Sequence, residues 1–199
     1  MRFPVVDMEV NKAVFLDKDG TLIRDIPYNV NPELIALSEN MVDGLRGLIA
    51  AGYQLIVVSN QSGLAMGLFD YGKLLMAERK IRGLLAVWGI ELRAFYYCPH
   101  HPQAIVKEYR KTCECRKPAS GMLKSAAETH HIDLSLSWMV GDILDDIEAG
   151  NMAGCKTALI DNGNETEWKT NAKRVPDIIV SDINTASDYI LQVSAHADI

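Results

Sequence analysis

The sequence predicts an α/β protein built on a doubly wound parallel sheet, and two patterns carry that prediction. Short apolar runs rich in β-branched residues recur at residues 13–16, 55–58, 94–97, 138–140, 157–160 and 178–180. They lack the in/out alternation of a half-exposed strand, as suits strands covered on both faces. Stretches with helical spacing lie between them, so strand and helix alternate. Such alternation favours parallel strands joined by crossover helices.

Taken in order, Ala13-Val14-Phe15-Leu16 is the first strand and runs into Asp17. Met41, Leu45, Leu48 and Ile49 then share one helical face, and Gly52 supplies a stop. After the second apolar run, Leu74, Ile81, Leu84, Leu85 and Trp88 repeat that pattern up to Gly89. Shorter helices are expected after Ser120-Gly121 and near Ile147, with a closing helix beyond about Asp182. One long irregular piece, residues 99–118, stands out, because a loop of that length inside a compact domain is usually functional.

With 199 residues, 48% of them hydrophobic, the chain can fill one core, and a single domain over residues 1–199 is expected. Its 20 basic and 26 acidic residues give a net charge of −6, the wrong sign for a nonspecific nucleic-acid binder. Arg2, Asp7 and Glu9 interrupt the first ten residues, so no signal-peptide core is present there. No apolar run is long enough to span a bilayer. Four cysteines without an export signal point to a reducing compartment, hence a cytoplasmic protein. The oligomeric state is not legible, and a monomer is the simplest expectation.

In such sheets ligands gather outside the carboxyl ends of the strands. The first run ends in Asp17-Lys18-Asp19-Gly20-Thr21, the second in Ser59-Asn60-Gln61-Ser62-Gly63, and the fourth in Gly141-Asp142, followed by Asp145 and Asp146. If these strands are neighbours, several carboxylates converge on one crevice, and their repulsion requires a cation. Hard oxygen ligands favour Mg²⁺, which shares its coordination with a substrate phosphate. A carboxylate in that setting can attack phosphorus and form an aspartyl-phosphate, while a second carboxylate exchanges protons with the leaving alcohol and the incoming water. Ser59 and a lysine, for which Lys117 is the best candidate, would neutralise the phosphoryl oxygens.

Asp17-x-Asp19-Gly20-Thr21, Ser59-Asn60, Lys117-Pro118 and Gly141-Asp142-x-x-Asp145 resemble, in order, the four motifs of the haloacid dehalogenase superfamily of phosphatases. The likeness spans roughly residues 13–160. Any one of these aspartates alone would be read as a turn or helix-cap residue; four motifs in order, each at a strand end or helix start, would not. The resemblance implies a Rossmann-like fold of that superfamily, with Asp17 as nucleophile and Asp19 as general acid/base. It further implies that Ser59 and Lys117 bind phosphate and that Asp17, Asp19 and Asp142 hold Mg²⁺. No room exists for a large cap domain between Thr21 and Ser59 or between Gly63 and Cys98, and an open site suits hydrolysis better than phosphoryl transfer.

Three of the cysteines sit in the irregular loop, as Cys98-Pro99-His100-His101 and Cys113-Glu114-Cys115. Cys-x-His and Cys-x-Cys spacing can supply four ligands to tetrahedral Zn²⁺, closing a loop of about 98–118 that has little core of its own. Four protein ligands make such a zinc structural, and spacing alone leaves His100 and His101 both open. Cys155 reads as a packing thiol.

This loop narrows the resemblance to the heptose bisphosphate phosphatase and histidinol phosphatase branch of the superfamily. That branch implies Cys98, His100, Cys113 and Cys115 as zinc ligands. It implies substrate contacts from Asp25, Tyr28, Ser59, Asn60, Gln61, Ser62, Arg116 and Lys117. The loop length is similar to that of enzymes removing the 7-phosphate of D-glycero-D-manno-heptose 1,7-bisphosphate, so a small phosphorylated sugar is the expected substrate. Histidinol phosphate, or another sugar or polyol phosphate, is the nearest alternative. A zinc-stabilised binding module without catalysis is the alternative of another class, and the presence of both Asp17 and Asp19 argues against it.

Overall fold

The computed structural model describes residues 11–197, so the reading of the first ten residues lies outside it. Six strands form one sheet: β1 (Lys12–Leu16), β2 (Tyr53–Asn60), β3 (Ala94–Cys98), β4 (Trp138–Gly141), β5 (Lys156–Ile160) and β6 (Ile178–Val180). All five neighbouring pairs are parallel, in the order β3-β2-β1-β4-β5-β6. All six apolar runs became strands, and the sheet is doubly wound as expected.

Helices cover both faces: α1 (Val42–Ala50), a short α2 (Ser62–Ala65), α3 (Tyr71–Ala86), α4 (Gly121–His130), α5 (Leu144–Ala153) and α6 (Ile183–Ala197). Successive strand side chains point to opposite faces, which divides each apolar run between two cores. Val14, Leu16, Leu55 and Val57 pack with Leu45 and Leu48 of α1, Ile81 and Leu85 of α3, and Ile190 of α6. Ala13, Phe15, Ile56 and Val58 pack against Met122, Leu123 and Ala126 of α4 and Ala149 of α5. Burial on both sides is therefore why the runs show no alternation.

Two helix-face expectations are corrected. Ile49 is 37% exposed, because α1 buries the stripe of Gly44, Leu45 and Leu48 and turns its next residue outward. Trp88 is 52% exposed, because α3 ends at Ala86 and the chain has already turned toward Gly89, whose φ is +71°. Neither shift moves the site. Among the described residues no second sheet or helical subdomain interrupts the chain between β1 and β2 or between β2 and β3, so the crevice above the sheet carries no large cap.

The chain reverses its direction of winding between β1 and β4, adjacent strands that are far apart in sequence. At such a switch point the two following loops diverge to opposite faces and leave a crevice at the carboxyl edge. Asp17 follows β1 and Asp142 follows β4, which places both beside that crevice. The Asp17 N–H donates to the Val140 carbonyl at 3.0 Å and fixes the two strand ends together.

Candidate active site

Asp17, Asp142 and Asp146 converge so closely that one oxygen from each lies within 4.8 Å of the others. All three are buried. The Lys117 ammonium lies against them, ion-paired with Asp17, 2.6 Å from Asp146 Oδ1 and donating to the Val58 carbonyl at 2.9 Å. Burial alone would lower the lysine pKa, but the carboxylates of Asp146 and Asp17 outweigh it and keep the ammonium charged. One internal cation thus faces three carboxylates. This surplus of hard, buried oxygen donors fits a divalent cation of the Mg²⁺ type.

Two expectations change here. Asp19 was expected to hold Mg²⁺ together with Asp17 and Asp142, yet its carboxylate lies outside the cluster that those two form with Asp146. One oxygen contacts Lys18 Nζ at 2.9 Å and the other accepts from Gln61 Nε2 at 3.2 Å. Two positions beyond Asp17 the chain has turned, so the carboxylate faces the cleft. Burial and the neighbouring Asp17 charge raise its pKa, with Lys18 opposing, a balance suited to an acid that must carry a proton. The motif aspartate that points inward is Asp146 rather than Asp145. The two project about 100° apart on a helix, and Asp145 faces out to Arg174 Nη2 at 2.5 Å. Asp146 turns back under the site, where its Oδ2 accepts from the Ile143 N–H at 3.3 Å.

The end of β2 supplies the opposite wall. Ser59 is 1% exposed and its hydroxyl oxygen accepts from Gln61 Nε2 at 2.7 Å, so Gln61 links Ser59 to Asp19. Asn60 was expected to touch substrate, and its amide also ties down the Lys117 backbone. It donates to the Lys117 carbonyl at 3.0 Å and accepts from the Lys117 N–H at 3.0 Å. The side chain therefore clamps the Lys117 backbone from a position on the wall of the cleft. Asp19, Asp25, Pro27, Tyr28, Asn60, Gln61, Ser62 and Gly63 line one cleft beside the carboxylates, which brings Asp25 and Tyr28 together with the end of β2. Tyr28 stands there 57% exposed, at a left-handed φ of +56°. A bulky residue in that region signals a constrained loop.

Next to this wall, Cys98, His100, Cys113 and Cys115 gather around one point. The Cys98 thiol is 3.5 Å from Cys113 and 2.9 Å from Cys115, and His100 Nδ1 is 3.6 Å from Cys98 and 3.3 Å from Cys115. Three sulfurs and one imidazole converging on one point form a donor set that fits tetrahedral Zn²⁺ and leaves no open position. His101 takes no part, since its Nδ1 accepts from the Gln103 N–H at 3.1 Å. The loop joins the crevice through Arg116, which donates to Ser62 Oγ at 2.8 Å and to the His100 carbonyl at 3.2 Å. Cys155 is buried and takes no part in this ligand group, and its pKa is pushed up to about 12, first by burial, as expected of a packing thiol.

Asp142 gives a pH-dependent prediction. Burial and then the Asp17 charge raise its pKa from 3.8 to about 6, against hydrogen bonds from Asn164 and Thr21 and the charge of Lys117. The folded, metal-free protein keeps a proton that the unfolded chain releases. This contribution to stability is therefore full below 3.8 and lost as pH rises to about 6, at most about 3 kcal/mol. Thermal midpoints measured with chelator across that window should fall more steeply for the wild type than for Asp142→Asn. Equal slopes would remove Asp142 as the source.

The fold and the site define a hydrolase of the haloacid dehalogenase class, and residues 114–186 match the HAD-hydrolase-like family model. Among solved structures, an HAD-like phosphatase from Mesorhizobium loti aligns with TM-score 0.81 and 28% identity over 92% of this chain and 88% of its own. A D,D-heptose 1,7-bisphosphate phosphatase from B. bronchiseptica, complexed with magnesium and phosphate, aligns with TM-score 0.79 and 30% identity over 92% and 99%. The D-glycero-beta-D-manno-heptose-1,7-bisphosphate 7-phosphatase of Salmonella typhi is 40% identical over 148 residues, covering 74% of this chain and 79% of that one. Its counterpart in Photorhabdus laumondii is 37% identical over 172 residues, covering 86% and 90%. The chain belongs to this family of haloacid dehalogenase-like phosphatases and is a phosphomonoester hydrolase. No helix among its described residues is long and apolar enough to cross a membrane.

Proposed function

We propose that this phosphatase removes the 7-phosphate of D-glycero-D-manno-heptose 1,7-bisphosphate. The observation that carries the reading is the similarity, over most of both chains, to curated 7-phosphatases for that sugar. The cleft lined by Asp25, Tyr28 and Ser62 beside the carboxylates gives room for the rest of a sugar bisphosphate.

The phosphoryl group enters between Asp17 and Asp19. An Asp17 oxygen attacks phosphorus as the bond from phosphorus to the sugar O7 breaks, and Asp19 hands its proton to that departing oxygen. Lys117 and the Ser59 hydroxyl hold the equatorial oxygens, where charge is greatest in the transition state. Asp19, now ionised, takes a proton from water, which attacks the phosphorus of the aspartyl-phosphate and releases phosphate from a regenerated Asp17 carboxylate. Asp17 and Asp142, with Asp146 behind them, would hold Mg²⁺, which when bound would neutralise charge on the phosphoryl oxygens. Gln61 keeps Asp19 and Ser59 on the same side of the crevice, and Asn60 holds the backbone from which Lys117 extends.

Cys98, His100, Cys113 and Cys115 would hold Zn²⁺, which would close the loop that ends in Arg116 and Lys117. Its role is positional. No disulfide joins the four cysteines, a state that suits a reducing compartment such as the cytoplasm.

Phosphate release from heptose bisphosphate, histidinol phosphate and fructose bisphosphate, compared on one preparation, tests the substrate. Heptose bisphosphate should have the highest kcat/KM, and fast turnover of another compound with none of the heptose sugar sinks the assignment. On that preparation, metal analysis should find about one tightly held zinc per chain. Stripping the zinc should lower the thermal midpoint and the rate together, because the metal contributes folding free energy to the loop that carries Lys117.

A further inference from the structure

We propose that Asn164 is a positioning residue for the divalent-cation site, and that the segment leaving β5 straps the Asp17 loop to Asp142. Three hydrogen bonds carry the inference, each ending on a different part of the crevice. Asn164 Nδ2 donates to Asp142 Oδ2 at 2.6 Å. Asn162 Nδ2 donates to the Gly20 carbonyl at 2.7 Å, on the loop that presents Asp17 and Asp19. Glu165 Oε2 accepts from the Leu144 N–H at 2.7 Å, at the start of α5. The strap is itself held in shape, since the Asn164 N–H donates to Asn162 Oδ1 at 3.1 Å.

Gly20 provides a second, independent observation. Its φ is +84°, and a Cβ placed there would collide with Asp142 Oδ2 and lie 2.5 Å from Asn164 Nδ2. The nucleophile loop, the Asp142 carboxylate and the Asn164 amide are thus stacked in direct contact, and only glycine leaves room for the pair beneath it.

The chemistry of the partners explains why an amide stands at this place. Thr21 Oγ1 donates to Asp142 Oδ1 at 3.2 Å while Asn164 donates to Oδ2, so both oxygens are fixed and each keeps a lone pair for a cation. A lysine or arginine here would fix the carboxylate equally well but would cancel the charge that attracts the metal. An uncharged donor orients the ligand and leaves its charge in place. Outer partners of this kind change metal affinity by about 10- to 100-fold when removed.

The inference rests on the reading of Asp142 as a ligand, and the experiment separates the two. Mg²⁺ is titrated calorimetrically into the full chain as wild type, Asp142→Asn, Asn164→Ala and Asn164→Ser. The expected order of affinity is wild type, then Asn164→Ser, whose shorter hydroxyl can still donate, then Asn164→Ala at least about tenfold weaker, with Asp142→Asn weakest. In phosphate-release assays the Asn164→Ala deficit should shrink as Mg²⁺ is raised, whereas a loosened fold would show a deficit at every concentration. If Asp142→Asn weakens binding and both Asn164 variants match wild type, the positioning role is wrong and the ligand assignment stands. If Asp142→Asn binds Mg²⁺ like wild type, both fall. Should Asn164→Ala not fold, equal affinity of wild type and Asn164→Ser would by itself overturn the role.

Discussion

Asp17→Asn is expected to lower phosphate release by about 10⁴-fold or more, because the attacking oxygen is replaced by an amide that cannot form the aspartyl-phosphate. The fold should survive. The Asn side-chain oxygen can still accept from Lys117, and removing one of three crowded carboxylates relieves repulsion in the metal-free protein. Asp19→Asn makes the necessary comparison. With p-nitrophenyl phosphate, whose leaving group needs little protonation, that variant should release one equivalent of nitrophenolate and then stall, since no base activates water. A stoichiometric burst from Asp19→Asn and none from Asp17→Asn assigns the two roles. Appreciable steady turnover by Asp17→Asn would remove it as the nucleophile.

The places of Asp17 and Asp19 at the crevice could be read from the sequence because strand-end position and the two-residue offset are local properties. The sheet was legible for the same reason. Each strand is an apolar run, and covering both faces leaves a signature that needs no tertiary information. What could not be read was side-chain direction where the backbone turns. Asp145 and Asp146 are adjacent in sequence, and which of them enters the crevice depends on the phase with which α5 leaves β4. Asn60 sits in a motif that implies substrate contact, yet its amide finds the Lys117 backbone, a partner 57 residues away. His100 and His101 were equivalent by spacing, and only the fold of the loop turns His100 inward.

Asn162, Asn164 and Glu165 carry a signal of position rather than of motif. They directly follow the fifth apolar run, at the same carboxyl edge as Asp17, Ser59 and Asp142. Their polar, turn-like composition instead reads as an ordinary loop.

Lys117→Met should cost both stability and rate, and the two losses can be pulled apart. Lys117 is 2% exposed and is the cation lying among Asp17, Asp146 and the Val58 carbonyl. Removing one partner of a buried ion pair typically costs about 3–5 kcal/mol, because the remaining charge is stranded. The stranded group here is Asp146, whose pKa burial already pushes upward against the opposing charge of Lys117. Without Lys117 it should take up a proton, so the variant's deficit should shrink as pH is lowered. Turnover should fall by about 10²–10³-fold, the usual cost of losing a donor aimed at developing oxyanion charge. Adding Asp146→Asn to Lys117→Met removes the stranded carboxylate and should recover most of the thermal midpoint, a non-additive result expected of directly paired groups. It should recover little of the rate, since the phosphoryl oxygens still lack their ammonium. If the double variant regained both, the lysine would be a structural counter-ion for Asp146 and not a participant in phosphoryl transfer.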